Sequence, residues 1–210
     1  MKTIIFTIVL LFTNINIFAK EIYGIDLSHH NKVSNWNKIE ASFVYLKSTE
    51  GASFKDPTFK YRIKQCKKRK ILVGAYHYMT TSSSAEEQFN NFKKVVKKSD
   101  IDLIPVIDIE INKNHISVAK LRKLVTTFSK LCEKEYGVTP IIYSSQRFFM
   151  IYFIGLSNDF WCGDINSKVY LPHVIHQKTI KRVPGVVGKV DYNTLNCKIR
   201  KIKISKKIIH

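Results

Sequence analysis

The sequence predicts a single α/β domain folded as an irregular (β/α) barrel, with about eight strands and fewer helices. Three observations carry that expectation. Short apolar runs rich in Ile, Val, Tyr and Phe recur along the 210 residues. Most are continuous rather than alternating, as in strands buried on both faces of a parallel sheet. Helix-like stretches separate several of them, and strand–helix alternation builds a parallel sheet or barrel.

The apolar runs lie at 22–27, 43–47, 71–78, 103–109, 140–144, 160–162, 169–175 and 186–191. A first helix is expected over 56–68, where Pro57 suits the first turn. A second is expected over 84–98. Ser84 opens Ser-Ala-Glu-Glu and can cap it, with Phe89, Phe92, Val95 and Val96 turned inward. A third, over 117–136, spaces Val118, Leu121, Leu124, Val125, Phe128 and Leu131 at helical intervals and stops at Gly137. No long helical period follows Gly137. A full eightfold barrel takes about 250 residues, so this shorter chain should have short or missing helices, most of all in its second half. There is no linker rich in Gly, Pro or Ser and no internal repeat, which favours one domain.

The ends differ from the middle. Met1 and Lys2 precede an uncharged, mostly apolar run over 3–18 that ends at Ala19, the pattern of a secretory signal peptide over 1–19. The run is shorter than the roughly 20 apolar residues of a spanning helix, and Asn14 and Asn16 weaken it. A secreted or periplasmic protein, without stable membrane insertion after cleavage, is therefore expected. The barrel would occupy 20–197. The segment 198–210 holds six Lys or Arg, five Ile and no acid, and reads as a solvated terminus, an edge strand or a flexible basic arm.

Composition narrows the function classes. Hydrophobic residues at 45% and aromatic residues at 12% exclude a disordered chain. Lys and Arg number 35 against 16 Asp and Glu, a formal charge of +19 that draws the protein to an acidic partner. No nucleic-acid-binding motif is present, and an exported protein is not expected to bind nucleic acid. Cys66, Cys132, Cys162 and Cys197 form no Cys-x-x-Cys pair and no metal-knuckle spacing. They permit zero, one or two disulfides, with three two-bridge connectivities. Cys66 sits in Gln-Cys-Lys-Lys-Arg, reads as a helix-surface residue, and should have a lowered pKa beside those charges.

The scarce acids point to chemistry. Asp26, Asp108, Glu110 and Asp191 fall at or just beyond the ends of buried-type strands. A carboxylate there is costly unless paired or used, and in an α/β barrel the C-terminal strand ends carry the active site. Asp108 and Glu110, two apart, would share a face. Two carboxyls in one cleft can split their pKa values into an acid and an ion, which suits glycoside hydrolysis. Glu50, His77, Tyr78 and Tyr143, also at strand ends, would add the flat faces and donors of a sugar cleft. A rival reading assembles a metal-dependent hydrolase from Asp26, His29, His30, His77, Asp108 and Glu110. His29 and His30 are adjacent rather than at helical spacing, and no His-Glu-x-x-His occurs.

Six motifs in order carry a resemblance. They are Tyr23-Gly24-Ile25-Asp26-Leu27-Ser28, Tyr45-Leu46-Lys47-Ser48-Thr49-Glu50-Gly51, Gly74-Ala75-Tyr76-His77-Tyr78, Pro105-Val106-Ile107-Asp108-Ile109-Glu110, Ile142-Tyr143-Ser144-Ser145, and the stretch 183–193 with Asp191. Over about residues 22–196 the chain resembles glycoside hydrolase family 25, the Chalaropsis-type lysozymes. The resemblance implies an N-acetylmuramidase that cleaves the β-1,4 bond between N-acetylmuramic acid and N-acetylglucosamine in peptidoglycan, on an irregular barrel. It implies Glu110 as general acid and base and Asp108 as the second catalytic carboxylate. Asp108 would act as nucleophile or as a guide for the substrate's own 2-acetamido group, and either route retains configuration. Asp26, Asp191 and Gln177 would line the substrate site with Tyr78, Tyr143, Glu50 and His77. No metal or organic cofactor is implied, and a monomer is expected. Two departures stand out. His176-Gln177 replaces the family's usual Trp-Gln, and Trp161-Cys162-Gly163-Asp164 replaces its Trp-x-Ala-x-Tyr. A catalytically impaired wall-binding barrel is the alternative they raise.

Overall fold

The computed structural model describes residues 22–204. The expected signal peptide, 1–19, lies outside them. Eight strands close a barrel in chain order. They are β1 (Tyr23–Leu27), β2 (Phe43–Glu50), β3 (Leu72–Tyr78), β4 (Val106–Asp108), β5 (Ile141–Ser144), β6 (Phe160–Cys162), β7 (Ile175–Lys181) and β8 (Val190–Leu195). Strands β1 through β7 run parallel, and β8 runs antiparallel to both β7 and β1. Four helices cover the outside: α1 (Phe59–Lys68), α2 (Ala85–Val95), α3 (Val118–Tyr136) and α4 (Gln146–Tyr152).

Local signals explain the helix bounds. Ser84 caps α2 and Glu87 reaches back to it, a reciprocal capping box. Ser117 caps α3, which ends at Gly137 in the left-handed region, φ 76°. Phe89, Phe92 and Phe128 then meet in one aromatic layer between α2, α3 and the sheet. As the chain length required, the second half is thin in helix: α4 spans seven residues, and a strand hairpin takes the place of a last crossover.

Several expectations change here. The run 169–175 is mostly loop, and β7 begins only at Ile175, its last residue. Lys178, Ile180 and Lys181 of β7 are exposed, so it lacks the continuous apolar character of the other strands. The run 186–191 divides at Gly188, φ 82°, into a two-residue strand, Val186–Val187, and the start of β8. Val186–Val187 pairs with Lys32–Val33. The basic segment after 197 is neither strand nor free arm over its described part. Ile199–Ile202 forms a 3-10 turn, Ile202 and Ile204 are buried, and Ile104 N–H donates to Ile202 C=O at 2.8 Å. The paired Ile residues belong to the barrel floor, which is why their spacing gave no clean strand face. Cys66 is buried rather than on the surface, and burial pushes its thiol up to about 12, overriding Arg62, Arg69 and Lys67. All four cysteines are unbridged. Among the described residues no helix is long and apolar enough to cross a membrane.

Close packing fills the barrel. Phe43 lies over Gly24 and Tyr45 over Gly74, each so near that a Cβ on the glycine would meet the ring at 2.2 Å. The Tyr45 hydroxyl donates to Ile104 C=O at 3.1 Å, tying this layer to the floor. Gly74→Ala should therefore destabilise the fold by about 1–3 kcal/mol through overpacking. A lower denaturant midpoint at unchanged slope would show it; an unchanged midpoint would mean the Tyr45 ring yields freely.

Candidate active site

The parallel strands all end at one mouth, and β8, running the other way, begins there. Asp26 comes from β1, Asp108 ends β4, Glu110 lies two residues beyond, and Asp191 opens β8. Asp191 thus reaches the cleft from the start of a reversed strand, not from the end of a parallel one. Register places Tyr78, Asp108, Tyr143 and Trp161 side by side across β3 to β6. Asp108 is buried, while Glu110 is exposed at the rim.

Burial sets the electrostatics. It is the main cause raising all four carboxyls above the ordinary range, and repulsion among them raises Asp26, Asp108 and Glu110 further. Asp108 and Glu110 act on each other, as do Asp26 and Asp191, so within each pair the charge on one member disfavours charge on the other. Lys47 pulls Asp108 downward, a smaller effect.

A chain of polar side chains braces the second pair. Tyr143 Oη donates to Gln177 Oε1 at 2.7 Å, and Gln177 Nε2 donates to Asp191 Oδ1 at 2.9 Å. Asn193 Nδ2 donates to Asp26 Oδ2 at 2.8 Å. A bulge between Tyr192 and Asn193 shifts β8 against β7 here and sets Asn193 opposite Gln177. Gly163 makes room for this chain, since a Cβ on it would meet the Tyr143 ring and hydroxyl at 2.8 Å. His176 turns instead to the loop after β6, with Nε2 2.9 Å from Asp164 O.

Beside Glu110 a groove opens between Glu50, Tyr78, Thr80, Ile111 and Asn114. Lys47 Nζ sits 2.6 Å from Glu50 Oε2 and 5.0 Å from the centre of the Tyr78 ring, so one cation organises the groove's near wall. Lys47, Asn193 and Gly163 also take part, although none of them is an acid or an aromatic strand end. An ionisable Lys inside the apolar run 43–47 was the available signal for the first.

His77 is a correction. It alternates with Tyr76 and Tyr78 on β3 and so faces the helices. It is fully buried, stacked on Phe128, and bonded to Thr49 Oγ1 at 2.8 Å and Gln88 Oε1 at 3.1 Å. Burial lowers its pKa to about 4, so it is a neutral core residue. Of the six residues of the rival metal site, Asp26, Asp108 and Glu110 gather at the mouth, but His77 is buried against Phe128. His29 instead meets Asp56, with backbone N–H and Nδ1 at 2.8 and 3.0 Å from one carboxylate oxygen.

A closed barrel with four carboxyls gathered at the mouth where its parallel strands end has the site of a glycoside hydrolase. Residues 25–168 match the family model described as glycosyl hydrolases family 25. The chain is 34% identical to Lysozyme M1 of Streptomyces globisporus, covering 83% of this chain and 68% of that one. It is 30% identical to the uncharacterized protein YegX of Escherichia coli (strain K12), covering 87% and 72%. Among solved structures it is similar to a family 25 glycosyl hydrolase from Bacillus anthracis, at TM-score 0.79 and 25% identity, covering 86% and 91%. It also shares its fold with a bacterial lysozyme from Streptomyces coelicolor, at TM-score 0.77 and 24% identity, covering 88% and 96%. The chain belongs to glycosyl hydrolase family 25.

The raised Asp26 pKa makes a stability prediction. A group whose folded pKa exceeds its unfolded value, about 3.9 for Asp, weakens the fold as pH rises past that value. Asp26→Asn should thus raise the melting temperature at pH 7 by a few degrees, given about 2–4 °C per kcal/mol in a domain of this size. The gain should vanish below about pH 4 while activity falls. A melting temperature that drops equally at both pH values would contradict the assignment.

Proposed function

We propose that the protein is a peptidoglycan hydrolase, an N-acetylmuramidase that cleaves the β-1,4 bond between N-acetylmuramic acid and N-acetylglucosamine with net retention. The observation that carries this reading is the Asp108–Glu110 pair, one member buried in the mouth and the other exposed above it. Lysozyme M1, a relative in sequence, supports the substrate class.

Glu110 holds the pair's proton toward the cleft and gives it to the departing O4 of N-acetylglucosamine. Asp108 accepts a hydrogen bond from the 2-acetamido N–H of the muramic acid, whose carbonyl oxygen attacks C1 from the opposite face. Glu110, now a carboxylate, takes a proton from water as that water attacks C1 and opens the ring formed by the acetamido group. Two inversions give retention. Direct attack on C1 by Asp108, the alternative route, would also give retention. Asp26 and Asp191, braced through Gln177 and Tyr143, shape the same site, and Glu50 and Tyr78 extend it along the groove.

The chain is further proposed to be exported by residues 1–19, to act as a monomer, and to be held on the wall by its positive charge, +19 for the full sequence and +18 once Lys2 leaves with residues 1–19. Lys206 and Lys207 contribute to that charge.

Digestion of purified peptidoglycan, with mass spectrometry of borohydride-reduced fragments, tests the reaction. Reduced muramic acid at the new ends is expected; reduced glucosamine or 1,6-anhydro ends would overturn the reading. Glu110→Gln should lower turnover by about 10²–10⁴-fold. Because the pair's pKa values are raised, activity should persist above the ordinary carboxylate range and fall as the shared proton is lost at higher pH. Retention on insoluble wall should weaken as salt rises, since the Debye length shrinks from about 10 Å at 0.1 M to about 3 Å at 1 M. Retention that ignores salt would assign wall binding to the cleft alone.

A further inference from the structure

Among the described residues, four buried side-chain atoms have no hydrogen-bond partner, and two of them belong to one cavity. They are Asp108 Oδ1 and Trp161 Nε1. The cavity lies in the barrel mouth between Asp26, Tyr76, Val106, Asp108, Tyr143 and Trp161. Its volume of about 20 Å³ exceeds the roughly 10–15 Å³ that one water requires on the same measure. An indole N–H can only donate and a carboxylate oxygen accepts, so the two unpartnered atoms are complementary. Leaving either unsatisfied costs about 1–3 kcal/mol, and a single water is the species that satisfies both.

We propose that Trp161 is a positioning residue of this enzyme, acting on Asp108 through one ordered water bound between Trp161 Nε1 and Asp108 Oδ1. The role in catalysis rests on the muramidase reading; the water site does not. The indole itself is held firmly. Trp161 is 2% exposed, and its ring meets Tyr45 at 5.0 Å and Tyr143 edge-on at 5.3 Å between centres. Asp108 keeps its other oxygen for Glu110. The water therefore fixes the carboxyl plane and supplies its one inner donor, which favours the charged form that must accept the acetamido N–H. The other charged or titratable groups facing Asp108 are Glu110, Asp26 from β1, Lys47 from β2, Tyr76 and Tyr78 from β3, Tyr143 from β5, and Asp191 behind Asp26. None of them bonds to Oδ1.

The test uses the full chain and Trp161→Phe, which removes the N–H and keeps a flat ring. If that variant fails to fold, 3-benzothienylalanine at 161 replaces N–H by sulfur in the same outline. A high-resolution crystal structure of the unaltered protein should show one water within hydrogen-bond distance of both atoms, lost in the variant. Carbon-13 titration of Asp108 should move upward in the variant, independent of any activity. On peptidoglycan, kcat should fall about tenfold with KM little changed, and the acidic limb of the rate profile should move up by about half a unit or more. A purely structural role would lower stability without moving either titration. No water touching both atoms, or an Asp108 titration identical in both proteins, overturns the proposal. Should the unaltered protein release no muramic-acid ends while the water and the titration shift are found, the muramidase reading falls and the water bridge stands.

Discussion

Four carboxyl groups share the mouth of an otherwise apolar barrel, and the cost of keeping them there governs the surrounding structure. Isolated charges at such depth would be expelled or neutralised. The protein instead groups the acids as two pairs whose pKa values burial raises, and gives each pair neighbours suited to it. Asn193 and the Tyr143–Gln177 chain serve Asp26 and Asp191. Lys47 lies near enough to temper Asp108 without contacting it. Even the absence of a side chain at Gly163 belongs to this arrangement, because Tyr143 needs that space to reach Gln177.

The same depth separates the roles of the central pair. Asp108, on the last residue of a short strand, is walled in by Tyr78 and Tyr143 on either side in register. Glu110 follows after one buried residue, Ile109, and stands free of the strand. Two residues of chain thus carry one carboxyl from the barrel interior to its rim. A proton passing between them moves between an enclosed position and one open to substrate.

Much of this was legible in the sequence. Continuous apolar runs and capped helices located most of the strands and three of the helices, and the rarity of acids picked out Asp26, Asp108, Glu110 and Asp191. The losses have physical causes. β7 was placed too early because it is half exposed and carries His176, Lys178 and Lys181, so neither continuity nor clean alternation marks it. His77 was assigned to the cleft by its nearness to a strand end, although the period of two puts it on the opposite face from Tyr76 and Tyr78. The Lys and Arg that follow Cys66 point to the helix surface, yet in α1 it lies three residues after Ile63 and shares its buried face. Asn193, Lys47 and Gly163 are neither acidic nor aromatic, and only the three-dimensional arrangement discloses what they touch.

The reversed final strand has a consequence for the life of the chain. Asn193 grips Asp26 across 167 residues of sequence, and β8 is also what closes the sheet against β1. Contacts of such separation form late, because the intervening loop entropy must be met before they contribute. A polypeptide still emerging, or one that stops short of residue 190, has seven parallel strands and three of its four acids but no sealed mouth. Gathering all four acids therefore waits on β8, the strand that both closes the sheet and carries Asp191.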